Sequence, residues 1–294
     1  MNASNPSRHH LSRHSRMPRT GAFRDLVAGM TYEVVPLKNL EAEIQNLPDN
    51  SRVSVTCSPN KSIEVSLDVA QRLVASGHHP IVHIAARMVE DRSHLARITE
   101  RLADLDLHEV FVIAGDTQEP GDYPDTMSLL RDLFDLASGQ IHHVGVGSYP
   151  DGHAFISDAD LHTALHDKQA LFAEAGVTAH VSTQMCFSPD MIVNWLRSER
   201  AAGFDLPVHL GVPGVVDRSK LMTMGMRLGV GASLSYLKKN RMGVVKLLTS
   251  SSYNPNRLLD PLAPHIEELR IEGLHVFTFN QIAATAAWQR SIIA

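Results

Sequence analysis

Eight short apolar runs, each followed by a polar turn and then a longer stretch at helical spacing, recur from Met30 onward and leave the chain very few architectures. The run from Val110 to Ala114 is the clearest of them: too short for a core helix, rich in β-branched and aromatic side chains, and stopped by Gly115. It reads as a strand buried on both faces. Strands of that kind alternating with helices belong to a parallel sheet. Strands are expected at residues 31–35, 52–56, 81–85, 110–114, 142–146, 179–183, 208–211 and 274–279. Helices are expected over 62–75, 91–105, 125–137, 188–202 and 258–271, several opening on Ser or Asp caps. Eight such units predict a (β/α)8 TIM barrel, in which the C-terminal ends of all strands share one mouth.

A chain of 294 residues with 44% hydrophobic content suffices for one barrel of about 250 residues and a tail. The first 24 residues hold five arginines, three histidines and no acid, without the apolar core of a secretory signal. They read as a disordered basic tail, with a transit peptide as the alternative, and residues 25–294 as a single catalytic barrel. A net charge of −5 argues against nucleic acid as a partner, and no apolar run has the length of a membrane span. Two cysteines, Cys57 and Cys186, point to a reducing, cytoplasmic setting. Self-association is left open.

Roughly sixty residues separate the seventh and eighth strands, enough for an additional helical segment near residues 221–237. Met222, Met224 and Met226 lie there with Gly225, Gly229 and Gly231 close by. The methionines read either as an ordinary flexible apolar contact or as a wall for a flat aromatic ligand.

The strand ends bring together Glu33, Thr56, His83, Asp116, Tyr149, His153, Gln184 and Asn280. A carboxylic acid at Glu33, just inside an apolar strand end, suits a general acid. Plainer readings stand beside the functional ones: a salt-bridged barrel carboxylate for Glu33, a cap or turn former for Asp116, a satisfied core histidine for His83, and a turn for Pro150-Asp-Gly152. Their coincidence at one edge favours chemistry. No Gly-x-Gly-x-x-Gly follows the first strand and no Walker motif occurs, so neither type of nucleotide loop is supported. Neither a Cys-x-x-Cys nor a His-x-x-x-His pairing is singled out, and no metal is expected. A mixed set of Glu33, His83, Asp116 and His153 keeps a metal-dependent barrel lyase or hydrolase as an alternative.

The ordered set Tyr32-Glu-Val-Val-Pro36, Val53-Ser-Val-Thr56, Pro80-Ile-Val-His83, Ala114-Gly-Asp116, Ser148-Tyr-Pro-Asp-Gly-His153, Ser182-Thr-Gln-Met-Cys-Phe187 and Phe277-Thr-Phe-Asn280 resembles the methylenetetrahydrofolate reductases over about Met30 to Trp288. The resemblance implies a barrel that binds FAD at its mouth and reduces methylenetetrahydrofolate to methyltetrahydrofolate with NADH or NADPH, in either direction. It casts Glu33 as the acid that protonates the folate nitrogen during ring opening, Asp116 as the carboxylate that meets the pterin and tunes the flavin, and Gln184 as a side chain serving folate and nicotinamide in turn. Thr56, His83, Gly115, Tyr149, His153 and Lys168 match positions around the flavin. Five residues depart from the family pattern. Ala114 stands where it has an arginine, Gln281 where it has a folate-binding arginine and so as a substrate-binding candidate, Cys57 where it has a flavin-facing aromatic, and Met185-Cys186 within its Gln-Phe-Phe run. A flavin-independent NAD(P)H folate oxidoreductase is the nearest alternative.

Overall fold

A computed structural model describes residues 21–58, 61–217, 219–221, 223 and 252–294. Eight parallel strands close into a barrel in sequence order, from β1 (Thr31–Val34), β2 (Arg52–Val55), β3 (His79–Ala85) and β4 (Glu109–Ile113) through β5 (His143–Ser148), β6 (Thr178–Thr183), β7 (Val208–Pro213) and β8 (Ile271–Phe277) back to β1. Among the described residues the helices are α1 (Gly21–Ala28), α2 (Leu40–Ile44), α3 (Ile63–Ala75), α4 (Arg92–Asp104), α5 (Thr126–Leu136), α6 (Asp158–Ala175), α7 (Pro189–Ala201), α8 (Asn256–Leu262) and α9 (Ile282–Ile293). None is long and apolar enough to cross a membrane.

The (β/α)8 architecture agrees with the sequence reading, and several boundaries move. Residues 21–24, assigned to the tail, begin α1, which buries Phe23 and Val27. Gln289 holds that end of the chain together: it accepts a 2.7 Å hydrogen bond from the Tyr32 hydroxyl and donates to the carbonyls of Val27 and Ala28. The helix expected over 258–271 ends at Leu262, with Pro261 inside it and Pro264 in the 3-10 turn that follows. A ring in place of an N–H cannot sustain the ladder, and the chain turns into β8 three residues earlier than expected. Most of the helical segment expected at 221–237, with Met222, Met224 and Met226, lies outside the described residues. The helix starts fare better, since Asp91, Asp125 and Ser188 each accept a backbone N–H from the first turn.

Alternation along the strands divides the core in two. Outward-facing Val34, Val53, Val55, Val82, Val110, Val112, Val144, Val146, Val212 and Val276 are fully buried beneath the helices. The inward set is largely polar and aromatic. Glu33, Ser54, His83, Phe111, His180, His209 and His275 fill the barrel, with Gly145, Gly211 and Gly273 making room among them. A Cβ on Gly145 would stand 2.3 Å from the Phe111 ring, and one on Gly273 2.4 Å from the His209 ring. The strand at 110–112 is buried on both faces as expected, and inside the barrel large rings oppose glycines.

Burial holds the His83 and His180 imidazoles well below their usual range and pushes His209 down to about 3, with neighbouring His275 acting in the same direction on all three. His143 and Arg52 add to the effect at His180 and His209. These rings are neutral in the folded protein, whereas an unfolded imidazole takes up its proton near pH 6.5. Below that pH the unfolded chain binds more protons than the folded one, so stability falls as pH falls. Each such histidine contributes a slope of up to about 1.4 kcal/mol per pH unit. Melting curves recorded from about pH 7.5 down to about pH 5 should show this decline, and His209→Leu should make it shallower. An unchanged slope would mean that His209 is not held neutral.

Candidate active site

Glu33 sits on the inner face of β1, where its Oε2 meets His275 Nε2 of β8 at 2.8 Å. Both are largely enclosed, with side chains 13% and 4% exposed, so each group's main polar partner is the other. His275 Nδ1 lies 3.5 Å from Ser182 Oγ. Beside the pair, His83 Nε2 is 2.6 Å from Ser54 Oγ and its ring stacks on Phe111 at 4.6 Å, while its buried Nδ1 has no hydrogen-bond partner among the described residues. The ligand atoms of Glu33, His83 and His275 lie within 4.8 Å of one another. His275 was not anticipated. Its signal was available, since it stands on β8 two residues before Phe277 and therefore shares that residue's inward face.

Above this layer the strand ends carry the rim. Gly115 takes a left-handed φ of +87°, and a Cβ there would be 3.0 Å from Ala85 Cβ, so the chain leaves β4 through a turn that favours glycine and leaves Asp116 exposed. Arg87 fixes the following segment from below, donating to the carbonyls of Thr117 at 2.7 Å and Gln118 at 3.0 Å. Burial, reinforced by the charge of Asp116, raises the Tyr149 hydroxyl above its usual range. Tyr149 meets His153 edge-on at 5.1 Å. Gln184 turns its Oε1 back to the Met185 N–H at 2.9 Å. Thr56 is half-buried, and neighbouring Cys57 donates to the His83 carbonyl, its thiol pushed up to about 11 by burial.

A cavity of about 360 Å³ opens beyond β5, lined by Tyr149, Gly152, Leu161, Lys168 and Trp195 among others. Burial holds the Lys168 ammonium below its usual range against the opposing charges of Asp125 and Asp167. Tyr149 and Lys168 thus line one space.

Other expectations are corrected. Asn280, read as a mouth residue, is buried at a left-handed φ of 53° and clasps Val35 through both its carbonyl and its amide. It ties β8 to β1. Gln281 is engaged by Asp217, accepting its N–H at 2.8 Å and donating to its carboxylate at 2.7 Å. The metal set of Glu33, His83, Asp116 and His153 is not gathered: His275 joins the first two, and Asp116 and His153 stand apart on the exposed rim. One paired-histidine arrangement was not singled out in the sequence reading. His162 and His166 stand four residues apart on α6 and share Glu199 of α7.

Among solved structures, the chain is similar to the crystal structure of oxaloacetate acetylhydrolase at 10% identity, over 94% of this chain and 86% of that one, with a TM-score of 0.49. So distant a likeness carries no argument. The sequence model of the methylenetetrahydrofolate reductase family matches residues 33–233, a stretch that begins at Glu33 and runs through the rim after β6 and well beyond it. With more than half its length matched, this chain belongs to the methylenetetrahydrofolate reductase family.

Proposed function

We propose that the protein reduces 5,10-methylenetetrahydrofolate to 5-methyltetrahydrofolate with electrons from NADH or NADPH, using FAD. Family membership supports a folate-linked reductase, and the observation that carries the finer reading is the enclosed pair of Glu33 and His275 beneath the mouth. A methylene-bridged folate must open to an iminium before it accepts hydride, and opening leaves a nitrogen that needs a proton. Glu33 gives that proton, and His275, with its Nε2 2.8 Å from Glu33 Oε2, aims the carboxyl and takes part in its reprotonation. Asp116, exposed on the rim, places negative charge where the cationic iminium forms.

The residues present fit a flavin dinucleotide on the β5 side. Tyr149 and Lys168 line one cavity, and a desolvated ammonium suits a phosphate oxygen. When bound, the flavin supplies the hydride that the folate receives. His83 is enclosed at 3% exposure, and its role is to hold the layer under the mouth rather than to line it. Thr56 and Gly115 remain at strand ends facing the rim.

Denaturing freshly purified protein and chromatographing the supernatant should release FAD. If none appears and added FAD neither binds nor raises activity, the flavin-independent reading takes over; exposed Ala114, where the family pattern has an arginine, is the feature that favours it. Asp116→Asn should slow the folate half-reaction by about 10-fold or more while leaving reduction by NAD(P)H within about 2-fold, as stopped-flow absorbance can follow separately. Equal losses in both halves would make Asp116 a positioning residue for the cofactor.

A further inference from the structure

We infer that His162, His166 and Glu199 form a divalent-metal site suited to zinc, with one coordination position open toward the cavity beside Tyr149 and Lys168. The inference stands independently of the folate reading. Residues four apart on a helix lie on one face a turn apart, and α6 accordingly brings the two imidazoles to a ring separation of 4.3 Å. Glu199 comes up from α7 against both. Its Oε2 is 2.8 Å from His162 Nδ1 and 3.0 Å from His166 Nε2, and the three ligand atoms lie within 4.8 Å of one another. Zinc bonds of about 2.0–2.2 Å to nitrogen and oxygen set tetrahedral ligands about 3.4 Å apart, so the two carboxylate–imidazole separations would each open by roughly 0.4–0.6 Å around a metal.

Charge points the same way. Glu199 is buried, and its ion-pair partners among the described residues are these two imidazoles. A buried carboxylate requires a compensating charge, and two imidazoles supply one only while at least one is protonated. A divalent cation supplies it with both rings neutral. Two nitrogens and one carboxylate oxygen are the donor set that zinc takes when it keeps a position free, whereas magnesium and calcium demand more oxygen. The other two histidine–carboxylate groups are less suited. Arg52 grips both oxygens of Glu109 at 2.7 Å, placing a guanidinium where the metal would sit, and the Glu33 group belongs to the reaction site. His162 is exposed and lines the 360 Å³ cavity with Glu199, so a metal has access and its open position can take water or an anionic oxygen.

The test is a titration of chelator-treated full-length protein with zinc sulfate, read by calorimetry and by competition with a chromophoric chelator. One zinc per chain is expected. His162→Ala and His166→Ala should each weaken binding by more than about 100-fold, beyond the range typical of an outer-shell change. His162 is exposed, so its variant should retain the wild-type melting curve without zinc; Glu199→Gln serves as a third variant if it folds. Histidines 9, 10 and 14 of the basic tail offer an alternative ligand set, and replacing all three with alanine should leave binding intact. Cobalt in place of zinc should give visible bands that His162→Ala abolishes. Absence of zinc binding, binding indifferent to His162 and His166, or loss of binding in the tail variant overturns the proposal.

Discussion

Glu33→Gln is expected to abolish hydride delivery to methylenetetrahydrofolate while sparing the fold and reduction by nicotinamide. Glutamine keeps the shape of the side chain and a hydrogen-bonding oxygen for His275, but it cannot surrender a carboxylic proton. Only the step that needs a proton on the folate nitrogen should fail. General acids are commonly worth a factor of about 10² to 10⁴, large enough to separate lost acidity from slight mispositioning. The check is single-turnover oxidation of pre-reduced enzyme by methylenetetrahydrofolate, with menadione as an acceptor that requires no folate protonation. Menadione should still oxidise the variant. Near wild-type reoxidation by folate would return Glu33 to the role of a salt-bridged barrel carboxylate paired with His275.

Gly211→Ala should do the greatest damage to the fold. A Cβ at this position would lie 1.8 Å from the backbone oxygen of Thr183 and 2.9 Å from the Phe277 ring. No rotamer relieves a clash with backbone, so β6 and β7 would have to separate, breaking the 2.9 Å bond from the Gly211 N–H to Thr183 Oγ1. Overpacking of this kind costs about 3 kcal/mol or more. In a barrel of this size the melting temperature should drop by roughly 6 to 12 °C. Gly139→Ala is the control: nothing stands within 4 Å of its Cβ, and its φ of +75° leaves only backbone strain of about 1–2 kcal/mol. Equal melting temperatures for the Gly211 variant and the wild type would contradict the packing described between β6 and β7.

The barrel was legible because its outward strand faces are valine-rich and its helices open on capping side chains such as Asp91 and Asp125. Glu33, Asp116 and Tyr149 were legible because each sits at or just inside a strand's C-terminal end. The interior was not. Whether His180, His209 and His275 face the helices or the axis depends on strand parity, which an apolar run does not reveal when both faces are buried. Asn280 was misread for a related reason: the left-handed conformation at Phe279 and Asn280 turns the chain immediately after β8, and the side chain swings back to Val35 rather than out to the mouth. His162 and His166 went unnoticed because their meaning comes from Glu199, which is distant in sequence and meets them only when α6 and α7 lie side by side.

The central claim is hydride transfer from a nicotinamide to a methylene-bridged folate at the mouth above Glu33. Its most direct measurement is anaerobic: purified protein is mixed with NADH or NADPH, then with methylenetetrahydrofolate, while the visible spectrum is followed and the folate product is identified by mass. The account predicts a flavin band that bleaches with the nicotinamide and returns with the folate, in step with formation of 5-methyltetrahydrofolate. A colourless protein that takes up no added FAD, or a nicotinamide-reduced protein that forms no methyl-folate, would contradict it.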